Sequence, residues 1–201
     1  MVRRDEFLIG PKEKAAEAIK AGKVEEALKY LDVVSDMFHN LHDRYVNNIS
    51  QLHALLAEAK GEEWLEELNH MIYDAYQSRF EPWKNMSAEE LVETTCNIHR
   101  AHYSEFHVNE DDEKYVVVIT ACNAGGRLLR DGVAKRQNAV TKKAYTWSFN
   151  KVRFPYYCVH AYIFNGLWKD LGVKVEVQWG RQYDDHGNKV SEPCKYIIFK
   201  R

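Results

Sequence analysis

The chain has 201 residues, of which 45% are hydrophobic and 29% charged, and its formal net charge is -2. That composition suits one substantial core, or a helical segment packed on a mixed one, and is far from that of a disordered chain. Near-neutral charge excludes the broad basic surface that phosphate backbones need, and no run of about 18 apolar residues occurs, so neither nucleic acid nor a membrane is an expected partner.

Met1 to Asp5 lead into a charged amphipathic region and not into a signal-peptide core, which gives a cytoplasmic location as the expectation. The four cysteines lie between residues 96 and 194 without the density of a disulfide framework, so they read as reduced thiols.

From Lys12 to about Tyr103 apolar residues return at intervals of three and four, punctuated by Gly22, Gly61 and Pro82. The first helix is expected near 12–21 and the third near 62–80. The second starts at Val24 and carries Ala27, Leu28, Leu31, Val34, Phe38, Leu41, Tyr45, Ile49 and Leu52 on one stripe. Packing of the third and fourth helices of the same chain, or of a second subunit in a homo-oligomer, accounts equally well for that stripe. The fourth helix opens at Ser87, with Glu90 three residues on to complete a capping box.

After Phe106 the pattern alternates. Phe106–Val108 and Tyr115–Ile119 read as a hairpin, and 123–154 reads as loop with one short helix. Pro155 suits a first helical turn, followed by a stripe of Tyr157, Ala161, Phe164 and Trp168 that ends at Gly172. Val173–Trp179 and Cys194–Lys200 alternate as strands around an Asp184–Asn188 turn. The fold class is therefore α+β: a helical segment over 1–104 with about four helices, then a mixed segment over 105–201 with a small antiparallel sheet and one packed helix, the two forming one compact unit.

Four motifs carry chemistry. Cys122 leaves a strand into Gly125-Gly126-Arg127, with Arg130 beyond, so a thiol nucleophile stands next to exposed backbone N–H groups and two cations suited to a substrate carboxylate; a tight turn with a buried cysteine and solvated arginines is the equal alternative. Cys158 falls in a first helical turn, where unpaired N–H groups favour a thiolate. On a regular helix Cys158 and His160 stand about 200° apart and do not share a site. Cys194 opens the last strand, where a lone cysteine is usually a small core residue. Cys96 and His99 share one helical face with Tyr103, and His102 lies on a neighbouring one. Taken as zinc ligands, Cys122, Cys158, His160 and Cys194 lack paired Cys-x-x-Cys knuckles, while three cysteines on separate elements suit an iron–sulfur cluster with one open iron.

The order of strand-end Cys122, Tyr157-Cys158 opening a helix, and a final Cys194-Lys195-Tyr196 strand resembles the L-2-amino-thiazoline-4-carboxylic acid hydrolase family over roughly residues 88–200. Residues 122–127 also share a Cys-x-x-Gly-Gly-Arg signature with a group of uncharacterised bacterial proteins. The resemblance implies a cysteine-dependent hydrolase, or a related lyase, that acts on a small C–N or C–S compound. In that reading Cys158 or Cys122 attacks, His160 or His102 moves protons, and Arg127, Arg130, Gly125, Gly126 and Tyr157 bind a carboxylate-bearing substrate without any cofactor. Tyr156, Tyr162, Trp147 and Trp179 are further candidates for its walls. The alternatives are a metal or iron–sulfur protein ligated by Cys122, Cys158 and Cys194, with His160 as a further zinc ligand, and a non-catalytic small-ligand or interaction module.

Overall fold

The structure, a computed structural model, describes residues 9–76, 78, 80–162, 171–184, 186–190 and 192–200. The chain divides into two units, Met1–Tyr45 and Val46–Arg201. The change from helices to strands near residue 104 falls inside the second.

In the first unit, α1 (Pro11–Lys20) has proline in its opening turn, where the missing N–H would have no partner anyway. Gly22, at φ +72, turns the chain into α2 (Val24–Lys60). Ala15, Ala18 and Ala27 are the buried apolar residues here. The stripe expected on the second helix stands largely exposed at Leu28, Leu31, Leu41 and Tyr45.

The rest of α2 belongs to the second unit and buries Val46, Ser50, His53 and Ala54. It is followed by α3 (Trp64–Tyr76), with Leu65 fully buried, and by a 3-10 turn over Glu81–Asn85. α4 (Ala88–Ala101) starts as its sequence predicts: the Ser87 hydroxyl accepts from the Glu90 N–H, and the Glu90 carboxylate accepts from the Ser87 N–H at 2.7 Å.

The sheet is antiparallel throughout, in the order β1-β2-β4-β3, from β1 (Glu105–Glu110), β2 (Lys114–Ala121), β3 (Val175–Gln178) and β4 (Cys194–Phe199). Val117 pairs with Tyr196 and Ile119 with Cys194, so these four side chains share one face. α4 packs on that face through Leu91 and Cys96. Burying one face fixes the register, because a slip of one residue would turn every side chain over.

Over residues 123–154 the sequence predicts loop with one short helix, whereas the chain forms α5 (Gly125–Arg130), α6 (Val133–Arg136) and a 3-10 turn at Thr146–Ser148. Leu128, Leu129, Val133 and Ala134 from this stretch join one core with Val46 and Tyr157. A second core gathers Ala54, Leu65, Ala139, Trp147, Phe154, Tyr156 and Val159. Buried Glu62 ties the same segment down, accepting from the Tyr156 hydroxyl at 2.6 Å and the Lys142 N–H at 2.8 Å. Tyr156–Cys158 form a 3-10 turn that runs into helical residues 159–162; the remainder of the helix expected to reach Gly172, with Phe164 and Trp168, lies outside the described residues. The Asp184 carboxylate accepts from the His186 and Asn188 N–H groups and closes the expected turn.

Because Val46–Lys60 supply core residues to the second unit, a chain that begins at Val46 is expected to unfold in one cooperative urea transition. A chain that begins at Gly61 is expected to lose that cooperativity. Matching transitions for the two fragments, followed by tryptophan fluorescence, would contradict this assignment.

Candidate active site: three thiols around one cavity

β2 ends at Ala121, and Cys122 stands just past it. The Gln182 side chain holds this strand end by accepting from the Cys122 N–H at 2.8 Å and donating to the Ile119 carbonyl at 2.6 Å. The two glycines that follow are not an open turn. They form the first turn of α5, and each makes room for a thiol: a Cβ on Gly125 would overlap the Cys158 sulfur, and one on Gly126 would stand 2.9 Å from Cys122 Cβ. Their function is close packing, in place of the expected presentation of N–H groups to a substrate.

Cys194 opens β4, and its sulfur lies against Gly180, whose N–H donates to it at 3.3 Å. A side chain at Gly180 would run into the backbone of Glu192 and Pro193, so glycine is required for the two segments to meet.

The three cysteines face one cavity of about 110 Å³. His99, His102, Tyr157, His160, Trp179 and Tyr196 also line it, and a smaller space of about 20 Å³ touches the same three cysteines beside Gly126 and Gln182. Cys158 and His160 therefore share a site after all. Cys158 ends a 3-10 turn, whose tighter winding departs from the 200° separation of a regular helix, and the cavity wraps around this chain end. The rings fall into two groups: His160 stands 5.7 Å from His53 and 5.2 Å from Tyr157 between centroids, and His99 stands 5.2 Å from Tyr196.

Other candidates lie elsewhere. Arg127 is 5% exposed; its guanidinium donates to Asn47 Oδ1 at 2.9 Å and to the Asn123 carbonyl at 3.1 Å, so it ties α5 to α2. Arg130 donates to Asp131 at 2.9 Å and lies over the Tyr183 ring. Neither arginine lines the cavity, which corrects their expected role as carboxylate holders. Cys96 packs with Val117 and Ile119 and does not line the cavity. Of the five aromatic walls, Tyr157 and Trp179 serve as such, while Trp147, Tyr156 and Tyr162 belong to the second core. His53 and Gln182 carried no local signal, because their roles come from neighbours distant in sequence.

Among the described residues, no Lys, Arg, Asp or Glu lines the cavity. Burial pushes the Cys158 thiol well above its ordinary range, the other two cysteines add to the shift, and a hydrogen bond from Trp179 opposes it. This reverses the expectation that a first-turn position would make Cys158 a ready thiolate, since desolvation outweighs the few N–H dipoles of so short a helix start. Burial likewise raises Cys194, to about 12, with a further contribution from Cys122. Desolvation holds the imidazoles neutral, lowering His160 to about 3 and His53 and His99 to about 4.

Among the described residues no three Cys, His, Asp or Glu side chains are placed to hold a single metal ion. All four cysteines are unpaired. No helix among the described residues is long and apolar enough to cross a membrane. No family model, curated protein or solved structure matches the chain.

Two outcomes follow from the site's surroundings. Replacing Arg127 with Met is expected to cost about 2–4 kcal/mol of stability, since it leaves buried acceptors without their donor. Urea denaturation checks this, and an unchanged midpoint would contradict it. The second concerns acid. An unfolded histidine takes up its proton near pH 6.5 and His53 and His99 near 4, so between these values the unfolded chain binds more protons. Stability is expected to be full above about pH 6.5 and to fall as pH drops toward 4, with a shallower fall in His99→Phe. Equal falls in the two proteins would count against a neutral, buried His99.

Proposed function

We propose that the protein is a cysteine-dependent hydrolase or lyase that acts on a small, uncharged C–N or C–S compound. One observation carries the reading: three thiols from three separate elements face a single small cavity, in company with three imidazoles. A site of that composition provides soft nucleophiles or ligands together with groups that can pass protons. The resemblance of the cysteine segments to the L-2-amino-thiazoline-4-carboxylic acid hydrolase family supports the same class of reaction.

The cavity's size and lining narrow the substrate. A cavity of about 110 Å³ lined by these described residues suits a small substrate. A carboxylate would meet no cation among the described lining residues, and its desolvation would cost several kcal/mol. An uncharged substrate avoids that penalty. The imidazoles of His160, His102 and His99 stand in the cavity as groups of the kind that carry protons in such reactions.

The experiment is a panel of small thioamides, thiazolines and cyclic amidines, each with and without a carboxylate, assayed without oxygen for released ammonia or sulfide. Turnover is expected with the uncharged members. It is expected to fall at least 100-fold in Cys122→Ala, Cys158→Ala and Cys194→Ala and to persist in Arg130→Met. Turnover confined to carboxylate-bearing members, or indifferent to all three cysteines, would overturn the proposal.

A further inference from the structure

Three soft donors from separate elements, Cys122, Cys158 and Cys194, meet at one largely apolar cavity, with no Lys or Arg among the described residues that line it. A metal centre bound between them would itself bring the positive charge that thiolate ligands need, since a coordinated thiol is deprotonated outright.

Geometry selects the kind of centre. A single zinc ion requires its sulfur ligands to converge to about 2.3 Å from one point, and no three side chains among the described residues are arranged to do so. The cysteines instead surround a space, with Cys122 past the end of β2, Cys158 on the 3-10 turn and Cys194 at the start of β4. Thiolate donors set around a gap suit a polynuclear centre that brings its own bridging sulfides. The two glycines of α5 let Cys158 and Cys122 pack close against the start of that helix, and the lining around them is largely apolar.

A further observation points to a bound species. His99 is 8% exposed and lines the cavity, yet neither of its ring nitrogens has a hydrogen-bond partner. Leaving buried polar atoms unsatisfied costs about 1–3 kcal/mol each, so a ligand is the natural partner for them.

We propose that Cys122, Cys158 and Cys194 hold an iron–sulfur cluster of the four-iron type, with one iron free of cysteine and open toward His99. The inference rests on the functional reading only in taking the cavity as the reaction site. Each thiol gives its proton to solvent as its Fe–S bond forms, and iron and sulfide come from outside the chain. The open iron offers a position for water or for a sulfur or nitrogen atom of the substrate, within a cavity that already holds proton carriers.

The full-length protein is purified without oxygen and reconstituted with mixed ferrous and ferric iron and sulfide. Wild type is expected to turn brown and to bind about four irons and four acid-labile sulfides per chain. Cys122→Ser, Cys158→Ser and Cys194→Ser are each expected to lose most of this, while Cys96→Ser keeps it. Circular dichroism of each unloaded variant checks folding. Should a serine variant fail to fold, the alanine variant at the same position replaces it and is expected to lose the cluster likewise.

A wild type that stays colourless under these conditions overturns the cluster. So does a Cys96→Ser variant that loses as much iron as the other three. Persisting turnover of the uncharged panel by colourless, iron-free wild type would overturn the cluster while leaving the hydrolase reading intact. A loaded cluster with no turnover of any panel member would do the reverse.

Discussion

The register between β2 and β4 is the constraint on which the site depends. Pairing of Ile119 with Cys194 and of Val117 with Tyr196 puts the last cysteine on the face covered by α4, beside the strand end from which Cys122 departs. A slip of one residue would send Cys194 and Tyr196 to the opposite face and open the cavity. Gln182 guards this arrangement, bonding both the Ile119 carbonyl and the Cys122 N–H across 63 and 60 positions of sequence. The apolar pairs set the register, and the polar clamp holds the strand end where the register has put it.

Burial then determines the electrostatics. The same enclosure that brings Cys122, Cys158 and Cys194 together strips water from the two whose thiols it raises and keeps His99 and His160 unprotonated. Each group is neutral because its charged form would stand in an apolar space without a countercharge. The arginines nearest in sequence do not relieve this. Arg127 is consumed in joining α5 to α2 through Asn47, and Arg130 pairs with Asp131 at the surface. The result is a largely apolar cavity lined by soft donors, with no Lys, Arg, Asp or Glu among the described residues around it.

Much of the fold was legible in the sequence, because it rests on local rules. The capping box at Ser87, the alternation around Tyr115–Ile119, the strand at Cys194 and the turn at Asp184 are each set by residues a few positions apart. That Cys122, Cys158 and Cys194 belong together was also legible, through the order of their segments. What the sequence concealed depends on contacts across long separations. Gly125 and Gly126 look like a loop until Cys158 and Cys122 are seen pressed against them. Arg127 looks like a surface ligand until Asn47, 80 positions away, meets it. Cys158 looked activated because the dipole of a helix start is a local property, whereas the desolvation that overrides it is a property of the whole cavity.

The central claim is that the clustered thiols have no countercharge among the described residues around them, and the ionisation of Cys158 in metal-free protein tests it most directly. Peptide-mapped alkylation with iodoacetamide across a range of pH reads that ionisation in the folded chain. The account predicts that Cys158 stays unreactive at neutral pH and ionises only well above 9, later than in the unfolded chain. Labelling of Cys158 with a midpoint below about 7 would reveal an activated thiolate and contradict the account.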